Sequence, residues 1–371
     1  MIEDLDRQGR YVGRVWTEAG PCLVTLRDGA VVDITTVTAP TMRDLLEVDD
    51  IAAFIATIPG KVLGGLDDVA ARGLLAPCDL QAIKACGVTF ARSMVERVIE
   101  ERAAGDAGRA HAIRERVSAV IGDSLRGLVP GSAEAAKVKA VLQAEGLWSQ
   151  YLEVGIGPDA EVFTKAPPMA AVGYGADVGL HPVSRWNNPE PEVVLAVDSR
   201  GRIRGATLGN DVNLRDVEGR SALLLGKAKD NNASAAIGPF IRLFDPSYSL
   251  DDVRRAEVSL RVEGEDGFVM QGRSSMAEIS RDPADLVAQT WGRHHQYPDG
   301  FMLYCGTMFA PVQDRDGPGQ GFTHHLGDVV TVSAPGLGAL RNVVRLSTEC
   351  PEWVFGVAAL MRNLAARGLL Q

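Results

Sequence analysis

Residues 186–211 carry the pattern of a β-hairpin, and this pattern constrains the fold more than any other part of the chain. Residues 193–197 form a short apolar run, which is typical of a buried strand. Asp, Ser, Arg and Gly at residues 198–201 favour a turn. A second strand-like pattern follows over residues 203–208. The sequence therefore predicts two antiparallel strands that meet at a tight connection.

Three carboxylates flank this hairpin. Glu190 and Glu192 are two residues apart, so they lie on the same face of an extended strand. A chain reversal at the predicted turn brings Asp211 opposite Glu190. Pro189 and Pro191 lack backbone donors, as expected at a strand edge or bend.

Two interpretations of these acids remain open. They are either solvated surface residues or the ligands of a cation. Like charges beside a strongly apolar strand are costly unless a cation neutralises them. Carboxylate oxygens are the ligands that hard cations prefer, so we expect Glu190, Glu192 and Asp211 to bind Mg²⁺, with Mn²⁺ or Ca²⁺ as alternatives.

Composition excludes several classes of protein. The net charge of −10 argues against a nucleic-acid partner, and it requires a site for an anionic substrate to be made locally positive. No apolar run is long enough to span a bilayer, and the polar, acidic N-terminus does not resemble a signal peptide. The 5 cysteines show neither a C-x-x-C motif nor a disulfide framework, which favours reduced thiols. We expect a cytoplasmic protein without a membrane partner.

The character of the chain changes along its length. Residues 10–36 alternate apolar and polar positions between glycines, and short helical patterns fill residues 41–75. We therefore predict a smaller α/β N-terminal domain over residues 1–75. The second domain, residues 76–371, is mostly β between about residues 150 and 346. The predicted class is α+β.

The second domain also contains helical patterns. Helices are predicted over residues 93–103, 108–120, 137–147 and 353–370. Ser93 and Glu96 fit a capping box at the start of the first, and Arg97 and Glu101 have the spacing of an i,i+4 ion pair. Residues 313–322, rich in glycine, predict a loop.

The motifs around the hairpin resemble those of the fumarylacetoacetate hydrolase family. The resemblance is carried by N-P-E-P-E at 188–192, G-x-x-x-x-N-D-V-N-x-R-D at 205–216, K-A-K-D at 227–230 and G-P at 238–239. It covers roughly residues 76–346. It implies a mixed β-roll catalytic domain that binds a divalent cation through a Glu-x-Glu pair and a later Asp. These ligands map onto Glu190, Glu192 and Asp211, which are also the residues that the hairpin pattern singles out.

Within this family the chain looks closest to the 2-keto-3-deoxy-D-pentonate dehydratases, the arabinonate and xylonate enzymes. Their glutamate in an E-[IV]-F-x-K-A strand is Glu161 here, and their lysine after the metal-binding aspartate is Lys229. The resemblance implies that these two residues are the catalytic proton carriers, in an order that the sequence leaves open. A late Gly-Thr dipeptide contributes Thr307 to the expected substrate-binding residues. Lys165 and Arg185 are candidates for orienting the substrate's carboxylate or hydroxyls.

One departure separates this chain from the C–C hydrolases of the family. Those enzymes carry G-x-N-Y-x-x-H, whose histidine pairs with a glutamate to activate water. In the corresponding segment, residues 87–93, this chain has Ser93 in place of the histidine. We expect Ser93 to contact the substrate, and the missing base favours an elimination, which needs no nucleophilic water.

The resemblance implies a magnesium-dependent dehydratase that converts a 2-keto-3-deoxy-D-pentonate to 2,5-dioxopentanoate. The cation would polarise the keto group while one residue takes a C3 proton and another assists departure of the C4 hydroxyl. The alternatives are an acylpyruvate-type C–C bond hydrolase or a 2-keto-acid decarboxylase on the same scaffold, and a metal-binding protein without activity. The resemblance also implies a homodimer or homotetramer. The stereochemistry at C4 stays open.

Overall fold

The protein is described from a computed structural model, which covers residues 2–121, 125, 127–144, 146, 148–309 and 311–370. Its strands are β1 (Tyr11–Thr17), β2 (Gly20–Arg27), β3 (Ala30–Asp33), β4 (Lys61–Gly65), β5 (Ala82–Gly87), β6 (Glu161–Ala166), β7 (Asp177–Leu180), β8 (Pro191–Val197), β9 (Ile203–Asp211), β10 (Ala235–Leu243), β11 (Glu257–Glu263), β12 (Val269–Ser275), β13 (Phe301–Tyr304), β14 (Val329–Ala334) and β15 (Gly338–Leu346). Its helices are α1 (Met42–Glu47), α2 (Ile51–Thr57), α3 (Leu66–Ala70), α4 (Ala91–Ala103), α5 (Ala107–Ile121), α6 (Ala133–Ala144), α7 (Gln150–Ile156), α8 (Arg215–Glu218), α9 (Leu225–Lys229), α10 (Leu250–Val253), α11 (Pro283–Thr290) and α12 (Val357–Ala366).

The described strands form two sheets. A 10-stranded sheet has the order β4-β3-β2-β1-β10-β9-β8-β13-β5-β6, and a 5-stranded sheet has the order β12-β11-β14-β15-β7. Most neighbouring strands are antiparallel, but β13 runs parallel to β5 and β15 runs parallel to β7. The mixed sheets and the helices around them confirm the predicted α+β class.

The predicted hairpin forms the centre of the larger sheet. Every residue of β8 is buried, because both faces of the strand are covered. Val193 and Leu195 pack in the core between the two sheets, whereas Val194 and Ala196 pack in a second core with residues of α1 and α2. Burial on both faces explains why the sequence shows a continuous apolar run here instead of an alternating one.

The N-terminal strands extend the same sheet. The β-rich unit predicted at residues 10–36 is formed by β1, β2 and β3, and β1 pairs with β10 through Tyr11 and Arg242. The hydrogen-bonded sheet therefore runs across the predicted boundary at residue 76. That boundary stays a prediction.

Helices α4 to α7 pack around their own apolar core beside the sheets. The capping box predicted at Ser93 and Glu96 is wrong, since α4 begins earlier and its N-cap position is Phe90. Ser93 lies inside the first turn, where its hydroxyl donates to the carbonyl of Phe90 at 2.9 Å. Glu96 instead accepts two hydrogen bonds from Arg114 of α5, both at 2.9 Å.

The remaining helix predictions differ from the structure mainly at their ends. α6 begins at Ala133, before the predicted start at residue 137, and the predicted end at Leu147 lies outside the described residues. α12 is shorter than the predicted 353–370. Residues 313–322 contain neither helix nor strand, as predicted.

Two further findings concern membrane-spanning helices and cysteines. In the described part of the chain, no helix has the length and apolar character that crossing a membrane requires. The five cysteines are all buried and unpaired.

Candidate active site and metal centre

The hairpin places three carboxylates in one buried cluster. β8 and β9 pair with Glu192 opposite Gly209, and the amide of Asp211 donates to the carbonyl of Glu190 at 3.0 Å. One oxygen from each of Glu190, Glu192 and Asp211 lies within 4.8 Å of the other two. The three residues are 1%, 0% and 1% exposed, so the interpretation as solvated surface acids is wrong.

Two positively charged side chains and a hydroxyl group bind the carboxylate of Glu190. Arg97 donates to Oε1, Lys229 Nζ donates to Oε2 at 2.5 Å, and Thr307 Oγ1 donates to Oε2 at 2.7 Å. Burial by itself would raise the pKa of Glu190, but the charges of Lys229 and Arg97 outweigh burial and lower this pKa to about 2. Glu190 is therefore an anion at neutral pH.

Two lysines hold Asp211. Lys229 Nζ donates to Oδ2 at 3.0 Å, and Lys165 Nζ lies 2.8 Å from Oδ1. Lys165 is fully buried and also donates to the backbone carbonyls of Val212 and Lys229. The structure therefore places Lys165 behind the carboxylate cluster as a support for Asp211.

Glu192 receives hydrogen bonds only from neutral donors among the described residues. The amide of Gly306 donates to Oε2 at 2.7 Å, and Thr307 Oγ1 donates to Oε1 at 3.3 Å. Burial raises the pKa of Glu192 well above its ordinary value, and the charges of Asp211 and Glu190 raise it further. The charge of Lys229 opposes this shift without outweighing it, and within the described residues Glu192 has no ion-pair partner like those of Glu190 and Asp211.

A divalent cation bound by this cluster would supply the positive charge that Glu192 lacks. The donor set consists of three carboxylates, which is the hard-oxygen chemistry of Mg²⁺, Mn²⁺ and Ca²⁺. The residues present are thus able to hold such an ion.

The cluster borders a narrow cavity. Its lining combines two cluster carboxylates with four other predicted site residues: Glu190, Asp211, Glu161, Lys229, Ser93 and Thr307. Arg185 lies elsewhere, since it is exposed and does not line the cavity. The structure therefore brings together the predicted catalytic pair but leaves Arg185 outside.

Glu161 begins β6 and pairs with Gly87 of β5. A Cβ atom at Gly87 would lie 1.9 Å from a carboxylate oxygen of Glu161, so a side chain at residue 87 would displace this carboxylate. Burial raises the pKa of Glu161 to about 7, and the charge of Glu218 contributes in the same direction. A carboxyl group with a pKa near 7 is suited to accept a proton at neutral pH.

Lys229 is the last residue of α9 and is 2% exposed. Burial by itself would lower the pKa of Lys229, but the charges of Asp211, Glu190 and Glu218 outweigh burial and raise it above its ordinary value. Lys229 therefore carries a positive charge. Its ammonium contacts Glu190 and Asp211, and the residue lines the cavity.

Ser93 lines the cavity, and the resemblance to the family matches this position to the histidine of the hydrolases. The residue is 3% exposed, and its hydroxyl donates to a backbone carbonyl within its own helix. The position thus provides no group that takes a proton from water at neutral pH.

Arg97 and Glu218 also line the cavity, although the sequence did not predict either as a site residue. Arg97 Nη1 lies 2.6 Å from a carboxylate oxygen of Glu100 and 2.8 Å from one of Glu218, in addition to the contact with Glu190. The predicted Arg97–Glu101 pair is wrong, since Glu101 instead accepts hydrogen bonds from residues 149 and 150.

The signals for these two residues differ. Glu218 lies in the segment R-D-V-E at residues 215–218, which continues the family motif at 205–216, and this position was a usable signal. The apolar stripe of α4 indicates the face that packs in the helical core, whereas Arg97 lies on the face that the site covers. Hydrophobic periodicity indicates only the face of α4 that packs in the core. The sequence therefore gives no local signal that Arg97 faces the site.

Comparison with known protein families and curated proteins gives a consistent result. Residues 151–345, more than half of the 371 residues, match the family model described as Fumarylacetoacetate (FAA) hydrolase C-terminal. The chain is 31% identical over 194 residues to a Haloferax volcanii protein named "Probable 2-keto-3-deoxyxylonate dehydratase" (52% of this chain, 63% of that protein). It is 30% identical over 188 residues to the 2-dehydro-3-deoxy-D-arabinonate dehydratase of Saccharolobus solfataricus (50% of this chain, 58% of that protein). Each match spans less than two thirds of the relative.

Solved structures show the same fold over more of the chain. A 2-keto-3-deoxy-D-arabinonate dehydratase in its apo form is similar with a TM-score of 0.62 at 19% identity, covering 91% of this chain and 99% of that one. A form complexed with magnesium and 2,5-dioxopentanoate has a TM-score of 0.61 at 19% identity and the same coverage.

We predict that Glu192→Gln removes the stabilisation by Mg²⁺ without unfolding the protein. The amide keeps the size of the side chain and an acceptor for Gly306, but it lacks the charge that a cation requires. Ligand at 100 times its Kd stabilises a folded protein by about 2.7 kcal/mol, which thermal unfolding with and without Mg²⁺ detects. We expect this shift in the wild type and not in the variant.

Asp198→Asn is the matched control. Asp198 is also a buried carboxylate of the same hairpin, 1% exposed, but it lies at the turn and pairs with Arg202 at 2.6 Å. The control should keep the full Mg²⁺ shift. An unchanged shift in Glu192→Gln would refute the assignment of Glu192 as a ligand.

Proposed function

The chain belongs to the fumarylacetoacetate hydrolase family, and from this premise we propose that it is a magnesium-dependent dehydratase of a 2-keto-3-deoxy-D-pentonate of the xylonate or arabinonate series. The product is 2,5-dioxopentanoate. One observation carries the proposal: Glu161 and Lys229 line the same narrow cavity as Glu190 and Asp211 of the carboxylate cluster. The names of the two curated relatives support the substrate class, and the fold neighbour with bound magnesium and 2,5-dioxopentanoate supports the cofactor and the product.

Glu190, Glu192 and Asp211 would hold the Mg²⁺ ion. When bound, the ion supplies Lewis-acid polarisation of the substrate's 2-keto group. Lys229 and Thr307 fix the orientation of the carboxylates through the hydrogen bonds already described.

Glu161 is the proposed base, and Lys229 is the proposed acid. The carboxylate of Glu161 takes a proton from C3, and the ammonium of Lys229 gives a proton to the C4 hydroxyl, which departs as water. Loss of a C5 proton and return of a proton to C3 then move the double bond to C4–C5. The resulting enol becomes the aldehyde when its O–H proton is lost and C4 gains a proton. The raised pKa of Glu161 supports this order, since such a carboxylate is a stronger base than an exposed one.

We also propose an assembly and a location for the protein. The family resemblance supports a homodimer or homotetramer. Light scattering tests this assembly, and a monodisperse monomer would refute it. The buried, unpaired cysteines support a reducing, cytoplasmic environment, which fractionation of the source cells tests.

We predict that incubation with 2-keto-3-deoxypentonates and Mg²⁺ yields 2,5-dioxopentanoate and water. Both C4 epimers are assayed, with the aldehyde trapped and identified by mass. The reaction should stop on chelation of the metal and resume on addition of Mg²⁺. Cleavage of an acylpyruvate into two carbon fragments would instead establish the hydrolase alternative, and inertness toward both substrate classes would favour a binding protein.

We predict that Glu161→Gln lowers kcat by about 10²–10⁴, the usual contribution of a general base, while Mg²⁺ still binds. Because the pKa of Glu161 is raised to about 7, this group is protonated and inactive as a base below that pH. The wild-type rate should therefore increase as the pH rises through about 7, and the variant should lack this limb. A C3 proton exchanging with solvent at the wild-type rate in Glu161→Gln would exclude Glu161 as the base.

A further inference from the structure

Arg97 lies where the helical layer meets the carboxylate cluster. It is 8% exposed and belongs to α4, yet its guanidinium contacts carboxylates from three separate parts of the chain. These carboxylates are Glu100 in α4, Glu190 before β8 and Glu218 in α8. None of the three expected metal ligands comes from a helix. The contact between Arg97 and Glu190 therefore links α4 directly to one of these ligands.

The two oxygens of Glu190 have different anchors. Oε2 accepts from Lys229 and Thr307, whereas Oε1 accepts from Arg97, its sole hydrogen-bond partner within the described residues. A carboxylate held at one oxygen is free to rotate about its last side-chain bond. With Arg97 removed, Glu190 is free to turn its second oxygen toward Lys229 and away from Glu192 and Asp211.

We propose that Arg97 is a positioning residue that fixes the carboxylate of Glu190 for divalent-cation binding and thereby makes the docking of α4 part of the metal site. The proposal rests on the metal-site part of the proposed function and not on the dehydration itself. Partners that orient a metal ligand typically contribute 10- to 100-fold to metal affinity.

The shape of the guanidinium is central to this role. Its two terminal nitrogens face different carboxylates, with Nη2 on Glu190 and Nη1 on Glu100 and Glu218. Lysine offers one charged nitrogen and cannot span both sides at once. A role in charge neutralisation alone would be fulfilled by lysine, whereas a positioning role would not.

The link also couples two equilibria. If docking of α4 strengthens cation binding, then by thermodynamic reciprocity cation binding must strengthen the docking of α4. Mg²⁺ should therefore protect the amides of α4 from hydrogen exchange, although no residue of α4 is an expected ligand. The β2–β3 hairpin, toward the end of the larger sheet away from β8 and β9, serves as the internal reference.

The test measures Mg²⁺ affinity by titration calorimetry on the full chain, together with hydrogen exchange with and without Mg²⁺. The variants are Arg97→Met, Arg97→Lys and the double variant Arg97→Met with Glu218→Gln. The double variant removes one charge of each sign, so it remains informative where the single substitution leaves too many buried carboxylates for folding. We expect 10- to 100-fold weaker Mg²⁺ binding in the Met variants, partial recovery with Lys and no Mg²⁺-dependent protection of α4 in the Met variants.

Arg114→Met is the control. Arg114 pairs with Glu96 at the outer edge of the same helical layer and touches no expected ligand. It should leave both Mg²⁺ affinity and the protection of α4 at wild-type levels.

Wild-type affinity in the Met variants, or full recovery with Lys, would overturn the proposal. A wild type that binds no Mg²⁺ would overturn both this proposal and the metal site. A wild type that binds Mg²⁺ but dehydrates no keto acid would refute only the proposed reaction, because every measurement here reports binding.

Discussion

The rest of this structure depends on one constraint, which is that three negatively charged carboxylates are buried side by side. Glu190, Glu192 and Asp211 lie side by side at the centre of the larger sheet, where burial makes uncompensated charge very costly. Arg97, Lys165 and Lys229 come from separate elements to offset part of it. The remaining deficit at Glu192 is what makes the cluster suited to a divalent cation.

The two sheets and the helical layer each contribute to this arrangement. The smaller sheet packs on one face of the β8–β9 hairpin, and α1 and α2 pack on the other. This packing fixes the register of the hairpin and so the positions of the three carboxylates. The helical layer contributes Ser93 and Arg97 to the lining of the cavity. The site is therefore a product of all the layers, although its expected ligands all come from one hairpin.

The chemistry that such a site performs is decided by the groups around the cation. A metal bound by carboxylates polarises a keto acid in the same way for elimination and for C–C cleavage. In this chain a glutamate with a raised pKa and a lysine face the cavity, and Ser93 lies at the position that the resemblance matches to the hydrolases' histidine. These surroundings favour proton transfer at neighbouring carbons over attack by water.

The sequence by itself determined the hairpin, its register, the α+β class and the three clustered acids. These follow from a short apolar run, the turn residues after it and the two-residue spacing of Glu190 and Glu192. The family motifs also indicated Glu161, Lys229 and Thr307, which the structure places on one cavity. Only the tertiary structure decided that Arg97 turns toward Glu190 and not Glu101, that Lys165 lies behind Asp211, and that Arg185 faces solvent. A long charged side chain takes its direction from the partners that packing brings within reach, and those partners are distant in sequence.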